Sequence, residues 1–174
     1  ENTLEIINFL AILKERGSRL QDATKLYVEG LYLAESHQQG HYLGVFRNNL
    51  GLMKLYAGQF DEALVDFEKG LVIAKPEKEK NLMSQINIGL INLIKDSTKT
   101  ALRMFNEVIS HSRKNNHPRE LSSIFVNIGS AFNNTGRPEM ALPYLDSAIT
   151  VLEEHNLYPE LTKAYLGKTD VLTR

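Results

Sequence analysis

The chain has 174 residues, of which 43% are hydrophobic and 24% are charged. These proportions are typical of a globular protein with a sizeable core and exclude a wholly disordered chain. The 20 basic and 21 acidic residues are spread along the sequence and give a formal net charge of −1, so there is no basic stripe of the kind that binds nucleic acid. No cysteine is present, which excludes disulfides and thiolate chemistry.

No apolar run approaches the roughly 18 residues that a membrane-spanning helix needs, so we expect no membrane insertion. The sequence also lacks a visible secretory signal, and it opens at Glu1 rather than at an initiator methionine. We therefore expect a processed product or an excised piece of a larger protein. The compartment stays open, with the cytoplasm favoured.

Helical periodicity runs through the whole sequence, and the alternation typical of strands is absent. Pro118, Pro138 and Pro159 suit the first turn of a helix, because the N–H that proline lacks has no partner there. The breaks divide the chain into about nine helices, and their short links predict antiparallel neighbours. In chain order, the breaks are Gly17–Ser18, Gln39–Gly40, Gly58–Gln59, Lys75–Pro76, Asp96–Ser97, Asn116–Pro118, Gly136–Pro138 and Tyr158–Pro159.

Small residues recur at a fixed spacing. Glycines spaced by 38, 40 and 38 residues are Gly51, Gly89, Gly129 and Gly167. Alanines recur in register with them at Ala23, Ala63, Ala101 and Ala141. One turn after each alanine is a bulky residue, at Tyr27, Phe67, Phe105 and Leu145. A small residue lets two helices approach closely and the bulky residue fills the remaining space, so the sequence predicts helical hairpins that stack on one another.

Three copies carry the clearest motifs. They are Asn49-Leu50-Gly51 with Gly58, Ala63, Phe67 and Gly70; Asn127-Ile128-Gly129 with Gly136, Pro138, Ala141 and Ala148; and Asn87-Ile88-Gly89 with Ala101 and Phe105. These motifs resemble the tetratricopeptide repeat (TPR) family over essentially the whole chain. The resemblance implies an all-α, right-handed α-solenoid of antiparallel helix pairs. It implies a single domain, 1–174, with repeats at about 2–38, 40–76, 78–116 and 118–156, and a half repeat or cap helix at 159–173.

The sequence departs from the family pattern in several places. Three residues after the repeat glycine the family usually has an aromatic residue, but only Phe132 conforms, and Lys54 and Asn92 do not. The first copy lacks the repeat glycine, and its spacing indicates one extra residue near Ser18. Pro143 falls inside a predicted second helix, where it removes one hydrogen bond.

The resemblance implies that the first helix of each pair lines a concave groove. An asparagine recurs two residues before the repeat glycine, and Asn8 extends this series upstream. Because an amide offers both a donor and an acceptor, it can pair with a peptide backbone, while apolar neighbours accept the peptide's side chains. The alternative is that these asparagines only bond locally. The predicted peptide-binding residues are Asn48, Asn49, Leu52, Tyr56, Ile86, Asn87, Leu90, Asn127, Ser130, Asn134, Tyr165 and Lys168.

Among these positions only Lys168 is basic, so the predicted partner is a neutral or amphipathic protein segment rather than a terminal carboxylate. We expect no catalytic residue, cofactor or metal site. His37 and His41 have helical spacing, but the turn at Gln39–Gly40 separates them and no third ligand follows. The predicted function is protein or peptide binding. Two alternatives stay open: a sensory or regulatory domain of a larger signalling protein, and a scaffold that self-associates as a homo-oligomer.

Overall fold

The computed structural model describes residues 2–73, 82–114 and 117–173. Every regular element in these ranges is an α-helix, which confirms the all-α prediction. The predicted break at Lys75–Pro76 and the first residue of the break at Asn116–Pro118 lie outside the described residues. The helices in the described ranges are α1 (Asn2–Arg16), α2 (Leu20–Ser36), α3 (Gly40–Tyr56), α4 (Phe60–Ile73), α5 (Leu82–Ile94), α6 (Thr98–Lys114), α7 (Pro118–Asn134), α8 (Pro138–Glu154) and α9 (Tyr158–Leu172).

One turn geometry recurs after α1, α2, α3, α5, α7 and α8. Each turn has a residue with φ between 52° and 75°, and the next helix begins two residues later. The N–H of the intervening residue donates to the carbonyl five residues back, as Gln59 does to Lys54 over 2.9 Å. This is the Schellman arrangement that ends many helices. The left-handed residues are Ser18, Gln38, Gly58, Asp96, Gly136 and Asn156.

The chain divides into two compact units, Glu1–Asn87 and Ile88–Arg174, and the boundary falls within α5. In the first unit, α1, α2 and α3 share one hydrophobic core. Gly30 and Gly51 allow its closest approaches: a Cβ on Gly30 would lie 2.3 Å from the ring of Phe46, and one on Gly51 would lie 2.5 Å from the ring of Phe67. Both rings are fully buried. The predicted close packing of small against bulky residues is therefore confirmed here.

The second unit repeats this packing. A Cβ on Gly89 would lie 2.3 Å from the ring of Phe105, and one on Gly129 would lie 2.8 Å from Cγ of Leu145. Phe105 and Leu145 are fully buried. Pro143 lies inside α8, as the sequence predicted.

The position three residues after the repeat glycine is filled differently in each copy. Lys54 forms an ion pair with the buried carboxylate of Asp66 on α4. At the equivalent positions of the last complete copy, Phe132 stacks on Tyr144 with ring centroids 5.5 Å apart. Asn92 instead donates to the carbonyl of Ile88 on its own helix. The departures from the family pattern thus replace one aromatic contact with an ion pair or a local hydrogen bond.

The turn positions define the register between copies, and this register corrects two expectations. Ser18 and Gly58 occupy the same turn position 40 residues apart, so the first copy has no extra residue, and Asn8 is equivalent to Asn48 rather than Asn49. Likewise, α9 begins 40 residues after α7. Thr169, not Gly167, therefore takes the place of the repeat glycine. Spacings between glycines alone missed these shifts, because the link lengths differ between copies.

Candidate functional site

Side-chain amides connect neighbouring first helices in the first unit. Asn49 Nδ2 on α3 donates to Asn8 Oδ1 on α1 over 3.0 Å. Asn87 Nδ2 on α5 donates to Asn48 Oδ1 on α3 over 3.1 Å. Since Asn8 is equivalent to Asn48 and Asn49 to Asn87, the same hydrogen bond occurs in two successive copies. These four asparagines form a surface that we call the amide face.

The amides of this face keep further hydrogen-bonding capacity. Asn48 Oδ1 also accepts from Ser84 Oγ over 3.1 Å, so both its lone pairs are used. Within the described residues, the amide nitrogens of Asn8 and Asn48 donate no hydrogen bond, and the amide oxygens of Asn49 and Asn87 accept none. All four side chains are half-buried. The amides therefore hold one another in place while donors and acceptors stay available to a ligand.

Two predicted residues flank the amide face on α3. Leu52 is half-buried and packs against the hydrophobic core of the first unit. Tyr56 follows one turn later and is 57% exposed. Partial burial, followed by the nearby carboxylate of Glu15, raises the pKa of the Tyr56 phenol. Leu52 and Tyr56 thus add an apolar surface beside the amides.

Ile86 does not lie on this surface. Its side chain is only 3% exposed, so it contributes to the core beside Asn87 rather than to contacts with a ligand. Assigning groove residues position by position from the family pattern could not detect the burial of Ile86, because α5 carries apolar residues on more than one face.

In the second unit, α7 carries three predicted residues on one face. Asn127 and Ser130 are half-buried, and Asn134 is exposed. Their spacing of three and four residues places them along one side of the helix. Leu90, on the part of α5 that belongs to this unit, is half-buried.

The two predicted residues of α9 are bound to α8. Tyr165 Oη donates to Glu153 Oε1 over 2.9 Å, and this hydrogen bond raises the pKa of the tyrosine. Lys168 Nζ forms an ion pair with Asp146 Oδ1 at 2.7 Å, and the hydrogen bond between them raises the pKa of the lysine. The two-residue shift in the register of α9 explains why these side chains face the second helix.

The structure contains a buried charge cluster that the sequence did not predict. Asp66 is 3% exposed, and its carboxylate accepts from Arg47 Nη1 over 2.9 Å and from Lys54. Arg47 also donates to Glu35 on α2 over 3.2 Å. The one signal in the sequence was Lys54 in a position that the family fills with an aromatic residue. The cluster links α2, α3 and α4, and we assign it a structural role.

Other features lie away from the amide face. Within the described ranges, no three histidine, aspartate or glutamate side chains come close enough to hold a metal ion. A cavity of about 290 Å³ lies between the start of α1 and the end of α2, and Thr3, Leu4, Leu33, His37 and Gln39 line it. None of the predicted binding residues lines this cavity. Among the described helices, none has both the length and the apolar character needed to cross a bilayer.

A family model described as the tetratricopeptide repeat matches residues 46–75. This segment of the chain is a tetratricopeptide repeat. The matched segment begins at Phe46 on α3 and includes both members of the contact between Gly51 and Phe67. Protein–protein interaction is the general role of such repeats, and they are typically non-catalytic.

Three solved structures share the TPR fold of this chain. Aspartyl phosphate phosphatase F from Bacillus subtilis has a TM-score of 0.71 and 19% identity over 97% of this chain and 45% of its own. A Rap protein in complex with competence and sporulation factor has a TM-score of 0.71 and 14% identity over 98% and 54%. BtubC from P. vanneervenii has a TM-score of 0.65 and 20% identity over 88% and 64%.

The chain thus spans less than two thirds of the length of each of these proteins. At these identities the likeness establishes the fold. The comparison with curated proteins gave no match.

Proposed function

We propose that this TPR chain is a protein-interaction module that binds a peptide segment across the amide face. The main support for this proposal is the hydrogen bond that recurs from Asn49 to Asn8 and from Asn87 to Asn48. It fixes the amides before a ligand arrives, so binding does not have to order them. Donors and acceptors left on the same side chains match the N–H and C=O groups of a peptide backbone.

The flanking residues favour a neutral or amphipathic segment. Leu52 and Tyr56 offer apolar and aromatic contacts beside the amides, and no charged side chain belongs to the amide face itself. Aromatic side chains with a polar tip are common at the centres of interfaces. A partner without a dense charge therefore suits this surface best.

The likeness to the Rap protein supports a binding role, since that protein was solved in complex with competence and sporulation factor. It also favours a second candidate function, in which this chain is the regulatory part of a larger signalling protein. In both cases the amide face receives the partner, so one experiment on that face tests the binding step that the two share.

The experiment selects binders from random peptides displayed on phage, using the purified chain as the target. A selected peptide is then labelled, and its binding is measured by fluorescence anisotropy. The double variant Asn49→Ala, Asn87→Ala should weaken binding about tenfold or more, because each lost hydrogen bond contributes about 1 kcal/mol. Asn106→Ala is the matched control, because Asn106 is an exposed asparagine of α6.

The double variant also removes hydrogen bonds between helices, so its fold is checked by circular dichroism. Tyr56→Ala provides a second test, since Tyr56 is exposed and its removal breaks no bond of the amide face. We expect it to weaken the same peptide. If folded variants of both kinds bind the selected peptide as tightly as the native chain, the amide face is not the binding surface.

A further inference from the structure

The first copy carries a carboxylate at a position that the later copies bury. This position lies three residues before the left-handed residue of the turn that ends each first helix, and its carbonyl accepts from the N–H of that residue. It is occupied by Leu55 in α3, Leu93 in α5 and Asn133 in α7, which are 9%, 0% and 7% exposed. In α1 the residue is Glu15, which is only half-buried. A charged side chain thus replaces a buried one at the end of α1.

A hydrogen bond from α2 holds Glu15 in place. Its Oε2 accepts from Tyr27 Oη over 2.9 Å. Within the described residues, Oε1 accepts no hydrogen bond and stays accessible to solvent, and no basic side chain pairs with the carboxylate. In α7 the same position has a partner on the next first helix, because Asn133 Nδ2 donates to Asp170 Oδ2 over 2.7 Å. Glu15 therefore presents one positioned carboxylate oxygen to a ligand.

The surroundings of this carboxylate attract a cation. Glu15 lies in the last turn of α1, where the aligned peptide dipoles give the end of a helix a partial negative charge. Lys14 and Arg16 adjoin it in sequence, but adjacent residues of a helix point to different sides. Lys54, in the last turn of α3, forms an ion pair with Asp66. A basic group brought by a ligand would therefore be drawn to Glu15.

Glu15 and Tyr56 continue the amide face toward the ends of α1 and α3. Glu15 follows Asn8 by seven residues, and Tyr56 follows Asn49 by the same interval, so each pair lies on one side of its helix. Asn8 and Asn49 are joined by a hydrogen bond. Glu15 in turn lies close enough to Tyr56 for its charge to act on the phenol. A carboxylate and an exposed aromatic ring thus adjoin the asparagines on the same surface.

The distance from the asparagines to this carboxylate suits a short stretch of peptide. Seven residues of a helix rise about 10.5 Å, and about three residues of an extended peptide span the same distance. A segment held by Asn8 and Asn49 therefore reaches Glu15 within three positions. A lysine or arginine at that point would place its charge beside Oε1, with the ring of Tyr56 available for a cation–π contact.

We propose that Glu15 and Tyr56 form a subsite for one basic side chain, lysine or arginine, of the peptide that binds the amide face. This inference rests on the proposed function and specifies the partner as an otherwise uncharged segment with one cation. The cation lies within about three residues of the part held by Asn8 and Asn49. It pairs with the carboxylate of Glu15 and lies against the ring of Tyr56. A single charge also agrees with the amide face, whose four side chains are neutral.

Two parallel phage selections test the subsite, one against the native chain and one against Glu15→Gln. The amide of glutamine still accepts a hydrogen bond from Tyr27, so the variant removes the charge and keeps the contact between α1 and α2. We expect lysine or arginine at a fixed position in peptides selected by the native chain, and no such preference in those selected by the variant. Glu5→Gln removes an exposed carboxylate of the same helix. As the matched control, it should select the same peptides as the native chain.

One peptide from the native selection is then synthesised with an acetylated N-terminus, so that only a side chain supplies the cation. Glu15→Gln should weaken its binding about tenfold in fluorescence anisotropy, because hydrogen bonds between charged groups are the stronger ones, and Glu5→Gln should leave it unchanged. Replacing the basic residue of the peptide with methionine should cause the same loss. The two changes together should weaken binding little more than either alone. Added salt should weaken binding to the native chain more than binding to Glu15→Gln.

The outcomes separate this inference from the proposed function. A peptide that is weakened by the double variant Asn49→Ala, Asn87→Ala but binds the native and Glu15→Gln chains equally would overturn the subsite and leave the amide face as the binding surface. A loss in Glu15→Gln that is as large for the methionine peptide would also overturn the subsite, because the effect would then be structural. A peptide that responds to neither set of substitutions would overturn both proposals.

Discussion

Gly51 lies so close to the ring of Phe67 that a Cβ at this position would be 2.5 Å from Cε1. The ring is fully buried and cannot move into solvent. This contact sets the distance between α3 and α4, and equivalent contacts recur in the second unit at Gly89 and Gly129. The repeat glycines are thus steric requirements of the helix pairs.

Gly51→Ala should therefore lower the free energy of unfolding by about 1–3 kcal/mol, the usual effect of overpacking a core. Urea titration monitored by circular dichroism measures the change. Gly40→Ala is the matched control, because a Cβ on Gly40 meets nothing within 4 Å. A Gly51→Ala chain as stable as the Gly40→Ala chain would show that the packing of Gly51 against Phe67 adjusts at little energetic cost.

Gln38→Gly should stabilise the chain by about 0.5–1 kcal/mol. Gln38 has a φ of 52°, a left-handed conformation that costs a residue with a Cβ about 1–2 kcal/mol, and the extra backbone freedom of glycine offsets part of the gain. Thermal unfolding reports the difference. Glu29→Gly, in the exposed middle of α2, should instead destabilise by about 1 kcal/mol. A lower midpoint for Gln38→Gly would contradict this account of the turns.

Asp66→Asn should destabilise the chain by about 2–3 kcal/mol, because it leaves the largely buried Arg47 without its main charge partner. Chemical denaturation of the chain, followed by circular dichroism, measures the loss of unfolding free energy. Glu107→Gln removes an exposed ion pair with Arg103 and serves as the comparison, with an expected effect of about 0–1 kcal/mol. Equal effects of the two substitutions would mean that the buried cluster contributes no more than a surface pair.

Stability should fall as the pH rises above about 10. Burial, with the hydrogen bond from Tyr27 Oη to Glu15 second, raises the pKa of Tyr27 well above its usual value. Above about pH 10 the unfolded chain releases the proton of Tyr27 while the folded chain still holds it, and this difference favours unfolding. The stability is therefore full below about pH 10 and falls as the pH rises further.

Tyr27→Phe tests this directly, since it should flatten the decline in unfolding free energy between about pH 9 and pH 11. Tyr32→Phe is the control, because Tyr32 is 74% exposed, and it should leave the decline as it is. An equally steep decline in the Tyr27→Phe chain would assign the pH dependence to other groups.

The fold could be predicted from the sequence because the residues that mark its helices and turns are local and recur along the chain. Gly58, Gly136 and the prolines at helix starts mark turns through their own backbone chemistry. The turns at Ser18 and Gln38 have the same geometry without glycine at the left-handed position, and the neighbouring Gly17 and Gly40 indicated these breaks in the sequence. The register of α1 and α9 was harder to predict, because a shift of one residue in α1 or of two residues in α9 keeps the residues helical but turns them to another side of the helix.

The candidate site was only partly predictable for the same reason. Asn8, Asn49 and Asn87 of the amide face were identified from their recurrence and Asn48 from the family resemblance, but the hydrogen bonds that connect these side chains in pairs were not predicted. Ile86 and Lys168 were assigned to the same surface, and the structure places the first in the core and the second against Asp146. Which side of a helix is covered depends on neighbours that are distant in sequence.

The most direct test of peptide binding by the amide face is an NMR titration of the side-chain amide signals of asparagine with a selected peptide. We predict that the signals of Asn48, Asn49 and Asn87 shift in proportion to the bound fraction, while that of the exposed Asn106 on α6 stays in place. Saturable binding that leaves the first three signals unmoved would contradict the proposal.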